Sequence, residues 1–273
     1  MSSGAQTEVA PREWGLAAPV VRPRWWLDAL VIAWLCWVYD LVANLAPLRL
    51  HAAVDHGRGL LHLERVLHLD PELALNRWVS AHHLLASALS YYYDNAHFLV
   101  TLGLLCWLWW RRVEDYRPLR NMLVLINVIG LAVFWLYPVA PPRMLAGFQD
   151  VVAASHTLGS WHTGALASAA NQLAAMPSLH MAWAAWCGVV LWRNPPGARP
   201  RAPYVRARRA LALLYPCLTA VAVMATGNHY LLDILAGVAT AALAALLAVA
   251  IERRRGSAAS WPVAHVTNLL RSR

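Results

Sequence analysis

The chain has 273 residues, 59% of them hydrophobic and only 14% charged, with a mean hydropathy of +0.43 and a formal net charge of +9. That composition excludes an ordinary soluble domain and a disordered chain; apolar runs of ~20 residues, long enough for ~30 Å of hydrocarbon, read as a polytopic membrane protein. All 23 basic residues are arginine, so lysine chemistry is excluded outright.

Apolar runs at about 26–46, 94–112, 118–138, 178–193, 207–226 and 229–251 predict an all-α bundle of six transmembrane helices. Thr226-Gly227-Asn228 is too polar and turn-prone for the middle of a span, so it separates the last two. Arg22 and Arg24 precede the first run, and Arg111, Arg112, Arg117 and Arg120 lie between the second and third. Arg193, Arg199, Arg201, Arg206, Arg208 and Arg209 lie between the fourth and fifth, and Arg253 to Arg255 follow the sixth. By the positive-inside rule these loops and both termini are cytoplasmic, leaving 47–93, 139–177 and 226–229 outside.

The predicted organisation is therefore a cytoplasmic tail (1–25), a six-span catalytic domain (26–251) and a second cytoplasmic tail (252–273). Orientation in the bilayer explains the net charge, and nucleic acid is not an expected partner. Cys36, Cys106, Cys187 and Cys217 all lie in apolar runs without metal-ligand spacing and read as small buried hydrophobes. The arginine and alanine bias points to a GC-rich, bacterial genome.

The outer segment 47–93 is too long for a simple connector. Leu60, Leu61, Leu63, Val66 and Leu67 are interleaved with His62, Glu64, Arg65 and His68 at helical spacing, and Asp70-Pro71 starts a second stretch. The pattern predicts interfacial helices, with Tyr91 to Tyr93 in an aromatic belt. Such helices serve either as a cover over a lipid-binding groove or as a packing collar.

Three motifs then fall on the outer face: Pro141-Pro142-Arg143, Pro177-Ser178-Leu179-His180, and Gly227-Asn228-His229-Tyr230-Leu231-Leu232-Asp233. At a spacing of four on one helix, Asp233 would accept from one nitrogen of His229 and leave the other as a nucleophile. Its charge would also stabilise the imidazolium formed on phosphorylation. His180, a residue type suited to proton transfer near neutral pH, would protonate the leaving oxygen. Pro177 and Ser178 mark one helix start and Gly227-Asn228 another, with Asn228 as the cap; two helix N-termini on one face would cradle phosphate, with Ser178 beside it. Arg143 would clamp the phosphoryl group through its fork of donors. Asp94 and His97, and Asp40 with Asn44, lie at outer span ends and are expected to line the cavity, as is Glu64. The carboxylates are too scattered for a hard-cation site, so no metal and no cofactor is expected.

At these residues the sequence resembles the type 2 phosphatidic acid phosphatase superfamily, through Ser178-x-His180 and Gly227-x-His229-x-x-x-Asp233. Its wording around Ala140-Pro141-Pro142-Arg143, Glu64 and Tyr93-x-x-x-His97-Phe98 is closer to the branch containing inositol phosphorylceramide synthases. The resemblance implies a phosphohistidine at His229 and a lipid substrate of the phospholipid or polyprenyl phosphate class. Two departures stand out. The lysine of the family's first motif has no counterpart: Arg117-Pro118 copies its Arg-Pro pair, but Trp110 fills the lysine position and the loop is cytoplasmic. Val223 stands where the third motif carries an arginine.

The sequence leaves three functions open: lipid phosphatase, phosphotransferase moving a headgroup such as inositol phosphate between lipids, and, of another class, transporter or lipid-binding scaffold. The oligomeric state is not legible.

Overall fold

The stretch Leu179–Trp192 is apolar on every side, and a helix of that kind needs neighbours all round. The computed structural model, which describes residues 24–45, 49–155, 173–193 and 201–254, supplies them. In chain order the longer helices are α1 (Trp25–Leu45), α2 (Leu50–Val66), α3 (Glu72–Ser80), α4 (His83–Arg111), α5 (Val113–Leu136), α7 (Leu179–Trp192), α8 (Ala202–Ala225) and α9 (Leu231–Arg254). A short α6 (Val151–Ala154) and a 3₁₀ turn at Pro142–Met144 lie between α5 and α7. No strand occurs among the described residues, only an isolated bridge between Val139 and Ala174.

Helix α7 packs against α4, α5, α8 and α9. Trp186, Ala182, Cys187 and Val190 meet Leu105 and Leu108 of α4, Leu119, Met122 and Ile126 of α5, and Ala241, Ala244 and Ala248 of α9. The alanines are what let α9 come close, since small side chains allow helix backbones to approach. At Gly237 even a Cβ would lie 2.4 Å from the carbonyl oxygen of Ser178, so only glycine fits. The indole of Trp186 donates to the Leu119 carbonyl at 2.8 Å, which satisfies its one buried polar atom.

Helices α5, α8 and α9 are each long and apolar enough to cross a membrane, marking a membrane protein. Expected spans and helices differ in detail. Helix α7 has 14 residues, about 21 Å at 1.5 Å per residue, because Ser178 caps it and its chain breaks at Arg193. Helix α4 is longer than the run that predicted it, extending back through the polar start of that segment to His83. The segment 47–93 does form two helices, α2 and α3, as its periodicity predicted. Of the cysteines expected to be buried, Cys187 is, but Cys106 and Cys217 lie on outward faces of α4 and α8 and are exposed. Asp40 and Asn44 lie in α1, but their side chains are outside the described set.

Antiparallel order sorts the polar residues to two ends. The starts of α7 and α9 meet the ends of α5 and α8 at one; the end of α4 and the start of α5 meet the ends of α7 and α9 at the other.

Candidate active site

His229 does not share a helix face with Asp233. Gly227 adopts φ +75, with a Cβ position 2.9 Å from the Gln149 carbonyl, and this turn keeps His229 ahead of α9. The amides of Asn228 and His229 fold back to the Val223 carbonyl at 3.0 and 3.2 Å. Held there, His229 Nδ1 lies 2.9 Å from the carbonyl oxygen of Ala175 and 3.5 Å from Asp233 Oδ2. A backbone carbonyl thus shares this ring nitrogen with the Asp233 carboxyl expected to orient it. A carbonyl only accepts, so Nδ1 carries the hydrogen and Nε2 keeps its lone pair. Asp233, fully buried, instead reaches back from the first turn of α9 to accept the Tyr230 amide at 3.0 Å, half of a capping box. Its carboxyl still lies beside the ring.

His229 Nε2 faces His180 Nδ1 at 3.4 Å. The His180 ring stacks on Tyr93 of α4 with centroids 4.5 Å apart, and the His97 ring stands edge-on to it at 4.4 Å. His97 is itself held by a 2.9 Å contact between Nδ1 and the Tyr93 carbonyl. Asp94 is buried on the same helix.

Arg143 arrives from the 3₁₀ turn. Its backbone amide donates to the Gly227 carbonyl at 2.8 Å, its guanidinium donates to Asn228 Oδ1, and Nε lies 3.3 Å from Asp150 Oδ2. Asn228 is therefore the arginine's anchor and not the helix cap expected of it. Ser178 is fully buried and does cap α7: its Oγ accepts the Met181 amide at 3.2 Å, while its own amide donates to the Asp233 carbonyl at 3.1 Å. Pro177 precedes that cap and follows a cis peptide bond. The amides at both helix starts are thus partly spoken for inside the protein, which narrows the phosphate cradle the sequence suggested.

Comparison with protein families gives a match to the PAP2 superfamily over residues 58–247, well over half of the chain. The chain belongs to the PAP2 superfamily. Comparison with curated proteins and with solved structures gave no match. PAP2 members are generally phosphatases, so membership implies an enzyme of lipid-phosphatase type. In this PAP2 member Val223 is fully packed where other family motifs have arginine, and Arg143 is the guanidinium bonded to the turn that carries His229.

Several residues at the site were not singled out from the sequence. Asn76 of α3 donates to the Gln149 and Ala225 carbonyls at 3.0 Å each and accepts the Gln149 amide at 2.8 Å, tying the collar to the site loop. Asp150 balances Arg143, and Ala175 orients His229. Glu64, which the sequence did single out, accepts the Leu232 amide at 2.6 Å, and Glu72, which it did not, lies beside it. Glu72 and Asn76 stand on the buried face of α3, a periodicity visible in the sequence; a carbonyl at Ala175 leaves no sequence signal.

Proposed function

We propose that the protein transfers a phosphoryl or phospho-headgroup from a membrane lipid through a phosphohistidine at His229. The observation that carries this reading is the pair of facing imidazoles: His229 with Nδ1 held by a carbonyl and Nε2 turned to His180 at 3.4 Å. His229 Nε2 attacks phosphorus as its bond to the lipid oxygen breaks, and His180 gives that oxygen a proton. Water or an alcohol then attacks the phosphoenzyme; His180 takes the acceptor's proton, the N–P bond breaks, and the electron pair returns to Nε2. A gap of 3.4 Å leaves no room for phosphorus between the two nitrogens, so the entering phosphoryl group replaces this contact. Asp233 stabilises the phosphoimidazolium, Arg143 neutralises the phosphoryl oxygens, and no metal takes part.

In this reading α1, α4 and α7 complete a six-span bundle with α5, α8 and α9, arginine loops and termini face the cytoplasm, and the site opens outward. A cysteine at Leu84, 85% exposed at the site end, should react in intact cells with an impermeant thiol reagent, and one at Arg201 should not. Both hydrolysis and transfer to an alcohol use the same residues; the resemblance to the phosphorylceramide synthase branch favours transfer.

The test is incubation of purified protein with lipid phosphates and phosphatidylinositol, with and without candidate alcohols and in excess chelator, with products identified by mass spectrometry. A phosphorylated residue trapped at His229 and lost in His229→Ala supports the mechanism. A phosphoenzyme that survives His229→Ala overturns it, and a requirement for magnesium after chelation removes the metal-free step.

A further inference from the structure

Glu64 on α2 and Glu72 on α3 are both completely buried, across the turn that joins the two outer helices. Burying one carboxylate is costly; burying two together without cations is costlier still. Glu64 Oε1 accepts the Leu232 amide at 2.6 Å, in the first turn of α9. The remaining three oxygens, Glu64 Oε2 and both of Glu72, meet no hydrogen-bond donor. Two ionised carboxylates cannot bond to each other, whereas a single proton between them joins one oxygen of each. The oxygen free to carry it on Glu64 is Oε2, because Oε1 already accepts.

We propose that Glu64 is a neutral positioning residue that accepts the Leu232 amide through Oε1 and donates the proton on Oε2 to Glu72, so that the outer helix pair sets the catalytic turn 229–233. The link to chemistry is short. Asp233 adjoins Leu232 and lies 3.5 Å from His229 Nδ1, while its Oδ2 accepts the Tyr230 amide at 3.0 Å. Placing the Leu232 amide therefore places Asp233 and, with it, the carboxyl beside His229. An ionised Glu64 would accept the Leu232 amide more strongly but would add a buried negative charge next to both Asp233 and Glu72, pushing the collar and the catalytic turn apart.

The protonation follows from the surroundings. Burial first, and then the hydrogen bond to Glu72, push the Glu64 carboxyl up to about 9. Burial also raises that of Glu72. The titratable groups facing the pair are Asp233, with His229 behind it, from the α9 side, and Asp70 ahead of α3, which is 3.9 Å from Arg65. Tyr230 adjoins them with its hydroxyl donated to the Ala140 carbonyl at 3.0 Å. None offers the pair a cation at contact distance. Among the described residues no set of three or more His, Cys, Asp or Glu side chains is arranged to hold a metal ion; one shared proton halves the charge of the pair.

This inference rests on His229 and Asp233 being the catalytic pair, and its test separates the two. Isotope-edited infrared spectroscopy at neutral pH should show the C=O stretch of a buried protonated carboxyl in the wild type and in His229→Ala, and its loss in Glu64→Gln. That readout needs no activity, so it stands even where no phosphoryl transfer is found. In turnover assays Glu64→Leu, which strands the Leu232 amide and the Glu72 carboxylate, should lower kcat ~10- to 100-fold with KM little changed. Glu64→Gln, whose amide accepts from Leu232 and donates to Glu72, should restore it. The wild-type profile should fall on an alkaline limb near 9 that the Gln variant lacks. A carboxyl band that persists in Glu64→Gln, a Gln variant as slow as the Leu one, or an unchanged alkaline limb would each overturn the proposal. Where Glu64→Leu fails to fold, the infrared comparison and the Gln profile still decide it.

Discussion

Asp115 and Asp233 are both buried aspartates at helix starts, at opposite ends of the bundle, and their surroundings could hardly differ more. Asp115 is held by two guanidiniums: Arg112 through Nε at 2.9 Å and Nη2, and Arg193 at 2.9 Å. Nearby, Asp28 pairs with Arg120 at 2.6 Å, and Glu252 accepts from Asn121 at 2.9 Å. At the other end Asp233, Glu64 and Glu72 have a histidine ring, two backbone amides and one another, and the guanidinium of Arg143 is bound to Asn228 and to the half-exposed Asp150. Paired charges fix helices in place. A carboxyl left beside a histidine ring, and a guanidinium held only by Asn228 and a half-exposed Asp150, are what the proposed phosphoryl transfer needs.

Asp233→Asn breaks the comparison hardest. It keeps the shape but removes the charge beside His229, so turnover should slow ~100-fold or more while the thermal midpoint changes little. Undiminished turnover would reduce Asp233 to a helix cap. Asp115→Asn should do the opposite. It strands Arg112 and Arg193 and should cost about 3–5 kcal/mol of stability, with kcat per folded molecule unchanged. A fall in kcat at full folding would mean that the two ends are coupled.

This contrast was only half legible in the sequence. The helical class, the two collar helices and the motif residues around His180, His229 and Arg143 could be read, because periodicity and turn residues act locally. Which carboxylates gained cations could not, since Asp115 meets Arg193 only once α5 and α7 pack. Nor could the role of Ala175: any residue supplies a carbonyl, and the one that matters is chosen by the path of the chain. The helix spacing of His229 and Asp233 misled for a related reason, as Gly227 ends the turn before α9 begins. Of the pair Asp94 and His97, His97 is brought against His180, and Asp94 is buried on the same helix.

Arg143→Lys sharpens the comparison on the cation side. Lysine keeps the charge but cannot hold Asn228 and Asp150 and still present a fork to phosphate, so kcat/KM should fall ~10- to 100-fold. An equal loss in Arg120→Lys, at the far end, would show that the effect is structural.

Stability against pH probes the collar. The Glu64 carboxyl is raised from 4.5 to about 9, so between those values the folded protein holds a proton that the unfolded chain releases. The stability contributed by the protonated pair is therefore complete in acid and lost as the pH climbs through about 9. Thermal midpoints of the wild type should decline across that window, and those of Glu64→Gln should decline less. Parallel slopes would mean that Glu64 stays ionised.

The smallest expected effect belongs to Ser178→Ala, and it separates two roles for one hydroxyl. The sequence placed Ser178 at the phosphate; in the fold its Oγ accepts the Met181 amide at 3.2 Å as the cap of α7. Loss of a serine cap costs about 1 kcal/mol, and with His180 two residues into that helix a modest fall in kcat should accompany it. The serine proton remains available, and a phosphate contact through it would appear in KM, because ground-state binding would weaken along with the transition state. Ser178→Gly, which caps nearly as well as serine but has no hydroxyl, resolves the matter. If capping is the whole role, glycine should recover most of the stability and nearly all of the turnover lost in alanine. A KM raised equally in both variants would instead return Ser178 to the phosphate, with α7 held by its packing against α5, α8 and α9.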